Sequence, residues 1–161
     1  MGRRMPRDRT HFHPRVHTAR SLLNWTDRSA KFRSMQRTNP SIILLVDDDQ
    51  DLLQLMKTTL EKDGHRVETR TTAPSHDDLV RLRPNIVFID VELGTENGAA
   101  LCYAVKHDAS AVGAVVLISG HADDLLRSEA AIGGADAFLA KPFNMQALRD
   151  WAAYYAPQAV V

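Results

Sequence analysis

Carboxylates recur in this sequence at the ends of short apolar runs. Asp47-Asp48-Asp49 follow Ile42-Ile43-Leu44-Leu45-Val46, and Asp90 follows Ile86-Val87-Phe88-Ile89. Val115-Val116-Leu117-Ile118 runs into Ser119, and Ala137-Phe138-Leu139-Ala140 runs into Lys141-Pro142. Clustered carboxylates suit Mg²⁺, which takes oxygen ligands and combines one or two carboxylates with water and phosphate oxygens. A carboxylate can also accept a phosphoryl group as an acyl phosphate. Lysine supplies a compact cation against such an anion, and serine a hydroxyl donor. Asp48 or Asp49 could instead cap a following helix, but three acids in a row plus Asp90 exceed what a cap needs.

These residues meet only if the runs are neighbouring strands. The pattern predicts strands at 41–46, 65–70, 85–89, 114–118 and 136–140, the first apolar throughout, as when helices cover both faces. The second has only Val67 as an apolar anchor. Helices are expected at about 50–63, from Ala73-Pro74-Ser75 to before Pro84, at 98–107, at 123–132 and at 145–155. Leu52, Leu53, Leu55, Met56 and Leu60 are assigned to the inner face of the first helix, with Gly64 as its stop. Asp90–Asn97 is a loop. Strict β-α alternation predicts a parallel α/β sheet with right-handed crossovers. The polar residues then share its carboxyl edge, where ligands bind in open sheets of this kind.

Composition agrees with one globular domain. The chain has 161 residues, 44% hydrophobic and 25% charged, and no apolar run nears the ~20 residues of a membrane span. The single cysteine, Cys102, excludes an internal disulfide, reads as a small buried hydrophobe, and fits a reducing cytoplasm. Zero net charge conceals a division. Residues 1–39 hold ten Arg/Lys against Asp8 and Asp27, leaving ten basic and eighteen acidic residues of the totals of 20 and 20 for 40–161. A basic arm of about +8 therefore precedes an acidic domain of about −8. The arm, 1–39, reads as a disordered tail or as a start placed upstream of Met35. Its charge leaves nucleic acid open as a partner, although nothing else in the sequence points there. His11, His13 and His17 in this polar arm do not make a convincing metal cluster. His65, His76 and His107 read as surface residues.

From Ser41 to Tyr155 the sequence resembles a response-regulator receiver domain of two-component signalling. The acidic pair matches Asp47-Asp48, the phosphoacceptor Asp90, the glycine eight residues on Gly98, the hydroxyl Ser119, and the Lys-Pro-Phe Lys141-Pro142-Phe143. Phe138 matches the aromatic switch position three residues before the lysine. The resemblance implies a doubly wound, flavodoxin-like sheet of order 2-1-3-4-5. It implies Mg²⁺ held by Asp47, Asp48, Asp90 and the Glu92 carbonyl, with Asp48 a direct ligand and Asp47 acting largely through water. It also implies Lys141 bracing the phosphoryl group, a cis Lys141-Pro142 bond, and a switch that draws Ser119 inward so that Phe138 fills the space. The implied partners are a histidine kinase or histidine phosphotransfer protein, and a downstream target. Glu92 and His121, each two residues past a site residue, would flank the water that hydrolyses the acyl phosphate.

Several departures stand out. Leu93-Gly94 occupy the place of a common Met-Pro, which predicts a looser loop, although glycine still permits a tight bend. Ser119 replaces a commoner threonine, and Phe138 lacks a tyrosine hydroxyl. With only a short tail after the last helix, a stand-alone receiver, not an enzyme in its own right, is expected for 40–161. Two alternatives compete. One is an inactive receiver-like interaction module, which would require a damaged site. The other is a haloacid-dehalogenase-type phosphatase with Asp47 as nucleophile; it leaves Asp90 and Lys-Pro unexplained and lacks a later acidic pair.

Overall fold

The computed structural model describes residues 40–108, 112–120 and 133–156. The predicted helix at 123–132, His121, and the basic arm with its histidines lie outside these residues. The described elements are β1 (Ile42–Val46), α1 (Gln50–Lys62), β2 (Arg66–Arg70), α2 (His76–Leu82) and β3 (Ile86–Asp90). They continue with β4 (Glu92–Leu93), β5 (Glu96–Asn97), α3 (Gly98–Asp108), β6 (Ala114–Ser119), β7 (Ala137–Ala140) and α4 (Met145–Tyr155).

Five strands form one sheet of order β2-β1-β3-β6-β7, every pair parallel. Counting only these strands, the order is the expected 2-1-3-4-5. Side chains alternate across a strand, and β1 shows how this builds two cores. Ile43 and Leu45 pack on one side with Leu53, Met56 and Leu60 of α1 and Leu148 and Trp151 of α4. Leu44 and Val46 pack on the other with Leu79 and Leu82 of α2 and Cys102 and Val105 of α3. Ile86 and Phe88 of β3 join the first core, and Val87 and Ile89 the second. A sheet buried on both faces explains why its central strands read as continuous apolar runs. The weak β2 lies at the sheet's edge, where only Val67 is fully covered.

Helix ends follow local chemistry. Asp49 caps α1, its carboxylate accepting the Asp51 and Leu52 N–H groups at 3.0 Å. Ser75 and Asp78 form a capping box at α2, and Asn144 caps α4. Gly64 (φ 89°) ends α1 in a Schellman turn: its N–H reaches the Glu61 carbonyl at 2.9 Å, and the His65 N–H reaches that of Leu60 at 3.2 Å.

Two assignments are corrected. Leu55 is 52% exposed, because Leu53, Met56 and Leu60 define the inward stripe and Leu55 lies about 200° around the helix from Leu53. His65 is buried rather than at the surface. It holds the Schellman position whose side chain packs back against the helix end. Burial lowers its pKa, against the opposing pull of Asp63.

All five strands run the same way, so their carboxyl ends share one edge. Pro40 and Ser41 enter at the opposite edge. The α4 helix ends there too, with the Tyr155 hydroxyl donating to the Asp136 carbonyl just before β7, at 3.1 Å.

Candidate phosphoacceptor and metal site

The carboxyl edge collects the acidic residues because β1 and β3 are neighbours in the sheet. Asp47 is fully buried, Asp90 is 3% exposed, and Asp48 faces solvent. One carboxylate oxygen from each of Asp47, Asp48 and Asp90 lies within 4.8 Å of the others. Three hard oxygen donors at this spacing fit a divalent cation such as Mg²⁺ or Ca²⁺. Asp49, the third acid of the run, has turned away to cap α1, so the cap and the cluster use different residues of one tripeptide.

Each carboxylate is held by the backbone around it. Asp47 accepts the Asp49 N–H at 2.9 Å, and Asp90 accepts the Glu92 N–H at 3.2 Å. From the end of β7, the Lys141 ammonium reaches Asp90 at 3.0 Å and Asp47 at 3.2 Å. The chain arrives there through a cis Lys141-Pro142 peptide, as expected from the resemblance. Burial raises the pKa of Asp90; Lys141 opposes this and Asp47 reinforces it. Burial also pulls the Lys141 ammonium down, but Asp90 and Asp47 outweigh it, and the lysine stands above its ordinary value. The cluster therefore carries more negative charge than one lysine neutralises, which favours taking up a cation.

Ser119 ends β6 beside this group, fully buried. Its carbonyl accepts the Lys141 N–H at 2.6 Å, and the Ile118 carbonyl accepts that of Val91 at 2.8 Å. These bonds lock the ends of β3, β6 and β7 together. Phe138 is not part of the polar cluster. It lies in β7 opposite Leu117, nearly buried in the second core.

The loop after Asp90 departs from expectation. It is not loose: β4 and β5 pair antiparallel, Glu92 opposite Asn97 and Leu93 opposite Glu96. Gly94 takes φ +57° at the bend, Leu93 anchors the second core, and Asn97 accepts the Ala99 N–H at 2.9 Å to start α3. The Glu92 carbonyl, the remaining predicted ligand, accepts the Gly94 N–H at 3.2 Å and keeps a second lone pair. The Glu96 carboxylate accepts the Ala73 N–H at 3.0 Å. Sequence reasoning missed this contact between distant loops.

The response regulator receiver domain model matches residues 43–153. The chain belongs to that family. Over 109 residues it is 37% identical to the C4-dicarboxylate transport transcriptional regulatory protein DctD of Pseudomonas aeruginosa. That match covers 67% of this chain but 23% of DctD, so the chain corresponds to about a quarter of that regulator's length. Among solved structures, a CheY-like receiver domain from Methanospirillum hungatei JF-1 aligns at TM-score 0.64 and 24% identity, over 72% of this chain and 93% of its own. A response regulator from Burkholderia pseudomallei, solved with a phosphorylated aspartic acid, a calcium ion and citrate, aligns at TM-score 0.59 and 23% identity, over 73% of this chain and 66% of its own. These likenesses establish the receiver fold. No described helix is long and apolar enough to cross a membrane.

Proposed function

We propose that this receiver takes a phosphoryl group onto Asp90 from a histidine kinase or a histidine phosphotransfer protein and passes the signal to a downstream target by a change of conformation. One observation carries the reading: the Asp90 carboxylate meets the Lys141 ammonium at 3.0 Å and lies within 4.8 Å of the Asp47 and Asp48 carboxylates. The Burkholderia neighbour solved with a phosphorylated aspartic acid and a calcium ion supports it.

Asp47, Asp48 and Asp90, with the Glu92 carbonyl, would hold Mg²⁺. The ion would screen the acidic cluster and stabilise the charge of the transferring phosphoryl group. An Asp90 oxygen attacks phosphorus, the bond from phosphorus to the donor's nitrogen or oxygen breaks, and an acyl phosphate remains on Asp90. Lys141, already at Asp90, pairs with the phosphoryl oxygens. Ser119 donates its hydroxyl to one of them and moves inward, and Phe138 shifts to fill the space. The phosphoryl group moves this equilibrium only by its differential affinity for the two arrangements. Apart from this self-modification the protein is not an enzyme. The same reading places the protein in the cytoplasm.

The test is labelling with acetyl phosphate and Mg²⁺, read by intact mass. One acid-labile phosphoryl group should appear and should vanish in Asp90→Asn. Labelling that persists in Asp90→Asn but is lost in Asp47→Asn would point to the phosphatase chemistry. Mg²⁺ binding with no label would point to an inactive interaction module.

A further inference from the structure

The β4–β5 hairpin makes one contact that its own fold does not require. The Glu96 carboxylate accepts the Ala73 N–H at 3.0 Å, joining the loop after β3 to the loop after β2. In the sheet β1 lies between those two strands, so this link spans the carboxyl end of β1, where Asp47 and Asp48 stand. Backbone bonds shape the loop around it: the Gly94 N–H reaches the Glu92 carbonyl at 3.2 Å, and the Gly98 N–H reaches the Val91 carbonyl at 3.0 Å. The bend also lies against the site, for a β-carbon on Gly94 would stand 3.8 Å from the Asp48 carboxylate.

We propose that Glu96 is a positioning residue, a strap that fixes the hairpin across the end of β1 and thereby holds the Glu92 carbonyl and Asp48 in place for the cation. The strap supplies from a distance what a proline would have fixed locally in the Leu93-Gly94 bend. It acts through geometry rather than charge, because any side-chain oxygen that accepts the Ala73 N–H serves. Partners that orient metal ligands in this way affect affinity without touching the ion. The inference rests on the function proposed above.

Two variants and two measurements test it. Glu96→Gln keeps an acceptor oxygen and removes the charge; Glu96→Ala removes both. Amide hydrogen exchange at Ala73, measured without metal, should be slow in wild type and Glu96→Gln and faster in Glu96→Ala. Mg²⁺ affinity by calorimetry should fall roughly three- to tenfold in Glu96→Ala, at or below the low end of the range for outer partners of metal ligands. Glu96→Gln should stay within about twofold of wild type, with unchanged melting temperatures throughout. Equal Ala73 exchange in wild type and Glu96→Ala overturns the strap. A loss in Glu96→Gln matching that in Glu96→Ala overturns it in favour of simple charge. Failure of the wild type to bind Mg²⁺ overturns the function proposed above, while the exchange data still decide whether the strap exists.

Discussion

A β-carbon on residue 98 would stand 2.1 Å from the carbonyl oxygen of Asp90. Gly98 opens α3 and closes the acceptor loop with its N–H on Val91, so the glycine lets the helix start press against the end of β3. No side chain fits there unless the backbone of Asp90 moves. Gly98→Ala should destabilise the fold by about 1–3 kcal/mol, the usual cost of forcing atoms into a packed site. It should also slow phosphorylation of Asp90 more than a distant substitution of equal cost. Urea unfolding paired with labelling rates separates the two effects.

The acidic tripeptide divides its labour, and single substitutions should reveal the division. Asp49→Ala removes the α1 cap and should cost about 1 kcal/mol, leaving Mg²⁺ affinity nearly intact. Asp48→Ala should leave stability nearly unchanged and sharply weaken Mg²⁺ binding. Thermal melts and calorimetry on the same two proteins check both halves.

Asp90 should oppose folding when ionised and metal-free. Its folded-state pKa is raised, by burial first and by Asp47 second, against the pull of Lys141. The native state therefore holds this proton more tightly than the unfolded chain, and this group's contribution to stability falls as pH rises from the ordinary carboxylate value through the raised one. Asp90→Asn should make the metal-free protein more stable than wild type at pH 7. The gap should narrow as pH falls through the raised native value and close only below the ordinary carboxylate value of about 3.9, where both states are protonated. Denaturant titrations across that range, with chelator present, measure it; equal stabilities at pH 7 would contradict the electrostatic account.

The lone cysteine should be silent until the fold opens. Cys102 is fully buried, and burial pushes its thiol up to about 12, with Lys106 opposing and Asp136 reinforcing. Thiolate is the reactive form, so iodoacetamide at pH 8 should label native protein far more slowly than urea-unfolded protein. Alkylation kinetics followed by mass would report directly on opening of the second core.

Where a residue's role followed from its neighbours in sequence, it was legible. Apolar runs ending in Asp47, Asp90, Ser119 and Lys141 identified both the strands and the edge that gathers these polar residues, because alternating β-α units leave few arrangements. Leu55 was misplaced because a leucine-rich helix offers more apolar positions than its inward stripe can hold. His65 was misread because its burial comes from a helix-ending turn rather than from hydrophobicity, although Gly64 just before it was a usable signal. The tight bend that Gly94 permits was legible, but the pairing of Glu92–Leu93 with Glu96–Asn97 was not, because two-residue strands leave no periodic mark. The contact between Glu96 and Ala73 joins residues 23 apart with no periodic mark, and only the sheet order brings them together.

Pro40 and the end of α4 both lie at the edge of the sheet opposite Asp90. Polypeptide can therefore be attached before residue 40 or after residue 156 without crossing the reactive face. The unit is portable in its geometry: a chain of any length can be tied on behind it while the edge that carries Asp90 stays open. That geometry matches its likeness to a quarter-length stretch of a much longer regulator. A fusion joined at either point should retain the phosphorylation rate of the unfused domain.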